Sequence, residues 1–347
     1  MDTRPTAHAE ASTALSLYSD QELRELLSTA TPLGSGIGGR SARLEVSGVP
    51  VFVKRVPLTA RELLPEHARS TANLYGLPLI CQYGVGGPGF GAWRELAAHV
   101  MTTNWVLAGG HQGFPLLYHW RVLPDPVPDL PAELADVERA VAYWDGHVAV
   151  RGRIEGLRES PASLVLFLEY FPLTLHEWLG QQVRAGDAAI ERACQLVERE
   201  LELGTSFMNA RGLLHFDAHF RNVLTDGRRL YFTDFGLALA DGFRLSPAES
   251  DFFATHRQYD RAYTRSYLVN WLFSGLYDVG RAERFALIRA CADGARPPAG
   301  PPPGAVETLI RLAPIAATFT DFYIAVQDED RRTPYPAETI RRQLAYR

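Results

Sequence analysis

The sequence predicts an α+β fold in which a small antiparallel sheet is followed by a larger helical region. Most strand-like segments lie before residue 171, whereas the chain after residue 246 shows mainly helical periodicity. The chain has 347 residues, which is enough for two domains or one unit with two lobes. Strands that come first and helices that follow favour segregated layers over alternating βα units.

The composition narrows the class of protein. Hydrophobic residues make up 46% of the chain and charged residues 22%, which is typical of a soluble globular protein. The formal net charge of −5 gives no overall argument for a nucleic-acid partner, and we expect none. Cys81, Cys194 and Cys291 lack CxxC spacing, which predicts neither disulfides nor a zinc site. We find no apolar run of membrane-spanning length and expect a cytoplasmic protein without a membrane partner.

The first elements are predicted from local signals. Residues 1 to about 16 are expected to form a flexible arm. The capping box of residues 19–22 then begins a short helix that ends near Ala30. Next comes a glycine cluster. The stretches 43–46 and 49–56, joined by a Ser-Gly turn, predict a β-hairpin.

The elements that follow are predicted from hydrophobic periodicity. We expect a polar helical piece near 61–73, a helix over 90–107, a strand over 114–122, and a helix plus a hairpin within 132–160. A continuous apolar strand is expected over 164–171, and helices over 175–183 and 190–210.

Two motifs in the centre of the chain carry the chemistry. Residues 215–222 have the pattern HxDxxxxN, and residues 234–236 read Asp-Phe-Gly. In this order and at this spacing, they resemble the protein-kinase superfamily. The resemblance covers about residues 30–240. It implies a bilobal protein-kinase-like fold with an N-terminal arm and helix (1–30), a small antiparallel-sheet lobe with insertions (31–170) and a helical lobe (171–347).

Phosphoryl transfer from ATP explains the residue types of both motifs. The acceptor hydroxyl must be aligned with the γ-phosphate and must lose its proton, and the resemblance gives both tasks to Asp217. The anionic phosphates need Mg²⁺, for which Asn222 and Asp234 offer oxygen ligands. Mn²⁺ prefers the same ligands, so the sequence does not separate the two metals.

Upstream residues are candidates for holding the phosphates. Gly34, Gly36 and Gly39 form a GxGxxG pattern whose backbone N–H groups can approach phosphate. A Rossmann turn is disfavoured because the residues that follow are strand-like rather than helical. Lys54 lies in an apolar strand and is the candidate for the lysine on the α- and β-phosphates, while Arg55 is expected to point the opposite way.

The resemblance requires a helical glutamate as the ion-pair partner of Lys54. Glu95, within the helix predicted over 90–107, is our choice. The gap from Lys54 is long, so residues 57–89 are an insertion on this interpretation. Glu62 and Glu66 stay open as alternatives.

The apolar strand over 164–171 is similar to the strand that leads into the hinge of a kinase. On this resemblance, the backbone at Glu169, Tyr170 and Phe171 binds adenine, and Phe167 lies behind the adenine pocket. A buried core strand is an equally valid description of the same residues.

Three departures from the protein-kinase pattern stand out. Phe216 occupies the place where regulated kinases carry the arginine that reads loop phosphate, which predicts activity without that switch. His219 replaces a phosphate-steadying lysine and is similar to the histidine of aminoglycoside and choline kinases, although a packed loop histidine stays an alternative. Arg221 can supply the cation instead. No Ala-Pro-Glu motif follows, and Asp251 or Asp260 is expected to brace the catalytic loop.

Three functions remain on this evidence. The first, which we favour, is a protein serine/threonine kinase, an ATP-dependent phosphotransferase that uses Mg²⁺. The second is a small-molecule kinase of the aminoglycoside or choline kinase type. The third is a kinase-fold scaffold without catalysis. The retention of Lys54, Asp217, Asn222 and Asp234 argues against it. The partners expected are thus ATP and a hydroxyl acceptor, either protein or small molecule.

Overall fold

The structure, a computed structural model, describes residues 3–36, 39–84, 86–126 and 130–345. The protein is mixed α/β, with a small antiparallel sheet and a helical part. The chain forms two compact units, of which the first is Met1–Phe171 with Asp234–Ser250 and the second is Pro172–Thr233 with Asp251–Arg347. Residues 234–250, which the sequence analysis placed in the helical domain, therefore belong to the first unit.

The described strands are β1 (Thr31–Gly36), β2 (Gly39–Val46), β3 (Val49–Leu58), β4 (Leu117–Pro124), β5 (Ala162–Glu169), β6 (Leu173–Thr174), β7 (Leu213–Leu214), β8 (Val223–Thr225), β9 (Leu230–Phe232) and β10 (Leu239–Ala240). The described α-helices are α1 (Thr3–Leu17), α2 (Asp20–Ser28), α3 (Ala60–Leu63), α4 (Ala92–Leu107), α5 (Ala132–Ala135), α6 (Val137–Tyr143), α7 (Val148–Arg158), α8 (Leu175–Ala185), α9 (Asp187–Ala210), α10 (Pro247–Thr255), α11 (Tyr259–Tyr277), α12 (Arg281–Ala292), α13 (Pro303–Ile324) and α14 (Ala337–Ala345).

A five-stranded antiparallel sheet with the order β1-β2-β3-β5-β4 is the centre of the first unit. The predicted hairpin is confirmed, since Val46 pairs with Val49 across the turn. Ser47 and Gly48 both have positive φ, of 51° and 77°, which suits the twist of a two-residue hairpin turn.

The face of the sheet that carries Lys54 is covered by α4. Alternation along β3 puts Phe52, Lys54 and Val56 on one face. A buried apolar cluster joins this face to α4; its members are Val56, Leu58, Ala92, Trp93, Leu96, Leu117, Leu164, Leu166 and Leu168. Because Leu96 of α4 lies in this cluster, its neighbour Glu95 is held close to the strand.

Helix α1 corrects the prediction of a flexible arm over residues 1–16. It contacts β2, β3 and β4, and its Ala11 and Leu15 are fully buried. Arg4 donates hydrogen bonds to the Glu169 carboxylate, the shortest being 2.6 Å, and to the Phe114 carbonyl. Glu169 pairs with Val51, on the face opposite Lys54. From Leu164 to Leu168, strand β5 is apolar, as expected for a strand in a sheet with helices on both faces.

Two predictions for residues 57–160 are wrong. Only α3 is helical within 61–73, and residues 132–160 form three helices rather than a helix and a hairpin. Helix α7 buries Val150, Ile154 and Leu157, whose spacing of four and three residues is helical. Its buried Arg153 pairs with Glu62 at 2.7 Å and ties α7 to α3.

Other predicted elements are confirmed. Helix α2 begins at the predicted capping box, with both reciprocal bonds between Ser19 and Glu22. The helix predicted over 90–107 is α4, the strand over 164–171 is β5, and the helices over 175–183 and 190–210 are α8 and α9. The strand predicted over 114–122 is β4, displaced by a few residues.

The second unit is mainly helical. Helices α9, α11, α12 and α13 pack against one another, and a small sheet of order β6-β8-β9 accompanies them. Strands β8 and β9 form a short hairpin between the two central motifs, with Val223 paired to Phe232.

One described stretch, Pro303–Glu329, has 27 residues and is apolar enough to cross a membrane, by length and composition only. The sequence analysis expected no such run. Because 56% of its apolar window is buried inside the protein, it equally fits the core helix of a soluble protein. It is therefore weak evidence for a membrane segment.

A buried ion pair joins α4 to the segment 234–250 within the first unit. Arg94 Nη2 lies 2.5 Å from Glu249 Oε1, with side-chain exposures of 1% and 3%. Arg94 Nε also donates to the Thr71 carbonyl at 2.8 Å. Glu249 accepts from the backbone N–H of Ser246 in a capping box that begins α10. These bonds fix the segment to the helix that carries Glu95.

We expect Arg94→Met to lower the free energy of unfolding by about 3–5 kcal/mol, because Glu249 would be left buried without its cation. The double variant Arg94→Met/Glu249→Gln should recover a large part of that loss, since glutamine removes the charge and keeps the cap. Urea denaturation measures both. A double variant less stable than Arg94→Met would contradict the ion-pair explanation.

Candidate active site

Lys54 is the centre of the site in the first unit. Its Nζ lies 2.7 Å from Glu95 Oε1 and 2.7 Å from Asp234 Oδ1. Strand β3 supplies the ammonium, α4 supplies one carboxylate, and the Asp-Phe-Gly segment supplies the other. Glu95 is thus the ion partner of Lys54 that the sequence analysis preferred. The alternatives are placed elsewhere, as Glu62 pairs with Arg153 and Glu66 is exposed.

Electrostatics favour a charged Lys54. Burial alone lowers the pKa of its ammonium, but the charges of Asp234 and Glu95 outweigh burial and raise the pKa above its ordinary value. Burial raises the pKa of the Glu95 carboxyl to about 7, against the attraction of Lys54 and with the help of the Asp234 charge. Near neutral pH the charged Lys54 therefore faces a Glu95 carboxyl that titrates.

One further feature of the sequence singles out this lysine. Lys54 is the only lysine in the chain, and all the other residues in the count of lysine plus arginine are arginine. Lysine is a compact point charge, whereas guanidinium is a wide planar fork. The single lysine of the chain therefore lies where one compact cation contacts two carboxylates at once.

Asp234 and Phe235 of the Asp-Phe-Gly segment have different tasks in the structure. Asp234 has φ of 63°, a left-handed conformation that is uncommon for a residue with a side chain. The fully buried Phe235 packs edge-on against His99 of α4, with ring centroids 5.0 Å apart. The buried ring thus anchors the segment to α4, while the strained residue before it presents its carboxylate to Lys54.

The glycine cluster spans the β1–β2 connection. Gly34 and Gly36 lie in exposed β1, and a Cβ at either would meet no atom within 4 Å. Gly39 differs, because it has φ of 113° and a Cβ there would lie 2.0 Å from the Arg55 carbonyl oxygen. Of the three, Gly39 is the one with no room for a Cβ. Residues 37 and 38 of the pattern lie outside the described residues.

The residues predicted to bind adenine lie at the end of β5 and directly after it. Glu169 N–H donates to the Leu116 carbonyl at 2.8 Å and is thus used in the sheet. Tyr170 holds the Arg43 guanidinium over its ring at 4.6 Å, and Phe171 is half-buried. The prediction for Phe167 needs correction. It pairs with Val53, and so lies on the face opposite Lys54.

Leu168, one residue on, lies on the Lys54 side of the sheet and takes the position expected for Phe167. The register shows this, since Lys54 pairs directly with Leu166, two residues before Leu168. The sequence could not settle the choice because β5 is apolar on both faces, so its pattern carries no alternation.

The loop of residues 215–222 in the second unit is braced by Asp260. Its carboxylate accepts hydrogen bonds from the backbone N–H groups of His215 at 2.7 Å and Phe216 at 2.9 Å. This confirms Asp260 as a brace, whereas Asp251 is exposed. Burial raises the pKa of the Asp260 carboxyl to about 6, although both N–H bonds act to lower it.

Phe216 is strained and buried at the position where regulated kinases carry arginine. Its φ is 62°, which costs a side-chain-bearing residue of order 1–3 kcal/mol. The ring lies 4.5 Å from Tyr259 and 5.7 Å from Phe252 between centroids. Aromatic packing and the bonds to Asp260 together hold this conformation.

His215 orders the loop from the inside, a role that the sequence analysis did not assign. Its Nε2 bonds to the Thr233 carbonyl at 2.9 Å, and its Nδ1 accepts from the Asp217 N–H at 3.3 Å. Two opposite bonds fix the neutral tautomer. The histidine thus joins the loop that carries Asp217 to the strand end that leads into Asp234.

Asp217 and Asn222 lie together, as the motif predicts. Asn222 Nδ2 donates to the Asp217 carbonyl at 3.0 Å and to its carboxylate at 3.1 Å. His219 Nε2 lies 3.8 Å from the same carboxylate. Arg221 is exposed and makes no ion pair with Asp217 within 4.0 Å in the described structure.

The donor atoms fit a hard cation. Asn222 uses its Nδ2 toward Asp217, so its side-chain oxygen takes no part in that bond. The Asp234 side chain is 35% exposed and offers a carboxylate. The described residues contain no cluster of three His, Cys, Asp or Glu able to hold a metal. Mg²⁺ in nucleotide sites needs only one or two protein ligands besides phosphate oxygens and water.

The structure thus groups Lys54, Glu95 and Asp234 in the first unit, and Asp217, His219 and Asn222 in the second. Compared with known protein families and with curated proteins, the chain matches none.

We expect Asp260→Asn to destabilise the loop of residues 215–222 by about 1–3 kcal/mol, because an amide cannot accept both N–H bonds and turns a donor toward one of them. The melting temperature measures the effect. Asp251→Asn is the matched control and should be neutral. Equal melting temperatures for the two variants would show that Asp260 is not the brace.

Proposed function

We propose that the protein is an ATP-dependent phosphotransferase of the protein-kinase-like superfamily. The observation that carries the proposal is the ion pairing of Lys54 with Glu95 and Asp234, since a lysine held this way is suited to the α- and β-phosphates of ATP. The proposal includes a bilobal kinase-like fold, with the five-stranded sheet and α4 in the small lobe. It also includes a cytoplasmic location.

The proposed reaction assigns each group one task. The acceptor oxygen forms a bond to the γ-phosphorus, the bond from that phosphorus to the β–γ bridging oxygen breaks, and ADP leaves with the bond's electron pair. Asp217 orients the acceptor hydroxyl and takes its proton. Bound Mg²⁺, held by Asn222 and Asp234, would neutralise charge on the phosphates. His219, within reach of Asp217, is suited to steadying the transferred group.

Activity without loop phosphorylation is part of the proposal. Phe216 occupies the arginine position of regulated kinases and is packed among aromatic rings. The Arg94–Glu249 pair gives the segment 234–250 a fixed attachment to α4 that needs no phosphate. A built-in carboxylate thus replaces the charge that phosphorylation adds in a regulated enzyme.

The acceptor is an alcohol, and two kinds compete. The sequence analysis favoured a serine or threonine of a protein, and the complete glycine pattern supports that choice. His219 and the aromatic cavity described below favour a small molecule. The non-catalytic scaffold is disfavoured, because Asp217 and Asn222 keep mutual bonds suited to a base and a metal ligand.

We expect Asp217→Asn to reduce ADP formation about 10²- to 10⁴-fold, the usual contribution of a general base, while ATP still binds. Lys54→Arg should also lose most turnover, because the planar fork cannot replace the compact ammonium. Arg55→Gln, next to Lys54 on the other face of β3, is the control and should keep activity. ADP release with Mg²⁺-ATP measures all three. Wild-type rates in Asp217→Asn would overturn the proposal.

The pH dependence of kcat/KM should follow the ionisation of the Glu95 carboxyl. The ionised carboxylate is the form that pairs with Lys54, and its pKa is about 7. Lowering the pH from 8 to 6 should therefore cut kcat/KM about tenfold. Glu95→Gln should be slower at pH 8 and should lack this decline. If Glu95→Gln keeps the decline at the same pH, another group titrates.

A further inference from the structure

A cavity of about 540 Å³ lies wholly within the second unit. Helix α11 supplies one wall, on which Tyr263, Tyr267 and Trp271 recur every four residues and therefore share a face. Helix α13 supplies Phe319 and Tyr323 opposite them. These aromatic walls suit a flat ring or the apolar face of a sugar.

The cavity wall is attached to the catalytic loop. The Tyr267 ring lies 4.8 Å from the Phe220 ring and 6.2 Å from the His219 ring between centroids. His176 N–H donates to the Phe220 carbonyl at 2.9 Å, and Trp271 Nε1 donates to His176 Nδ1 at 3.0 Å. The loop that carries the proposed base thus borders this cavity.

The cavity wall also carries Arg284, whose guanidinium donates to two neutral side chains. Arg284 donates to Asn270 Oδ1 at 3.0 Å and to Ser274 Oγ at 2.7 Å, both neutral groups. Among the described residues, no carboxylate lies within 4.0 Å of Arg284, whereas the buried Arg94 and Arg153 each have one. Bonds to neutral acceptors orient this guanidinium and leave its charge uncompensated.

A second arginine increases the positive charge at the same wall. Arg281 lines the cavity, and both it and Arg284 lie over the Phe285 ring, at 5.4 Å and 5.3 Å. Arg281 has only a loose contact of 3.6 Å with Asp328. Burial, with Arg281 as a further cause, lowers the pKa of Arg284. The negative charge of a bound ligand would offset the pKa lowering that burial and Arg281 cause.

We propose that this cavity binds the acceptor, a small ring-bearing alcohol whose carboxylate or phosphate pairs with Arg284. This inference rests on the proposed phosphotransfer and names its substrate class. The volume is that of a small-molecule pocket. Aromatic walls hold the ring, Arg284 holds the anion, and the hydroxyl faces the loop of Asp217, which takes its proton as the new phosphorus–oxygen bond forms.

The test uses matched probes and matched variants. Calorimetry would compare 4-(hydroxymethyl)benzoate with its uncharged amide, and glucose 6-phosphate with glucose, so that the two pairs distinguish a carboxylate from a phosphate. Each probe is titrated into the wild type, into Arg284→Gln and into Arg289→Gln. Arg289 is the control because it lies on the same helix, is half exposed, and pairs with Asp321.

We expect at least one anionic probe to bind at least about tenfold more tightly than its neutral partner. Arg284→Gln should remove that preference, and Arg289→Gln should retain it. No preference in either pair, no binding of any probe, or a preference that survives Arg284→Gln would overturn the inference. The comparison within the wild type stands even if Arg284→Gln fails to fold.

Separate readouts distinguish this inference from the proposed function. ADP formation on protein substrates without binding of any probe would reject the cavity as the acceptor site and keep phosphotransfer. Binding of an anionic probe without ATP binding or ADP formation would reject phosphotransfer, and with it the acceptor role. Phosphorylation of the bound probe by wild type and not by Asp217→Asn would support both.

Discussion

The position of one ammonium group organises the candidate site. Lys54 lies 2.7 Å from a carboxylate of α4 and 2.7 Å from a carboxylate of the Asp-Phe-Gly segment. A buried cation is costly unless it is paired, so strand, helix and segment must stay together. The apolar cluster beneath α4 places the helix, and the Arg94–Glu249 pair fixes the segment. A nucleotide phosphate would meet an ammonium that is already oriented.

In the second unit, hydrogen bonds between side chains and the backbone hold the loop of residues 215–222 in place. Phe216 is held at φ of 62° by packing and by the Asp260 carboxylate. His215 joins the same loop to Thr233. Both devices fix the loop between them, so Asp217 and Asn222 are presented in a defined geometry. The strain at Phe216 is therefore stabilised by neighbours that do no chemistry themselves.

The sequence predicted the parts that depend on local patterns. Motif spacing predicted that Asp217 and Asn222 lie together, and helical periodicity placed Glu95 on the helix that pairs with Lys54. It failed where long-range packing decides. Helix α1 was missed because its first turn is tied to the sheet through Arg4 and Glu169, 165 residues apart. The face of the sheet on which Phe167 lies could not be predicted, because a strand buried on both faces has no alternation.

The most direct test of the account uses the fact that Lys54 is the only lysine in the chain. Protein labelled with ¹³C at lysine Cε should give a single side-chain NMR signal. We predict that Mg²⁺-ATP shifts this signal and that adenosine, which lacks phosphates, leaves it in place. A signal that stays unchanged at saturating Mg²⁺-ATP would contradict the claim that Lys54 holds the nucleotide phosphates.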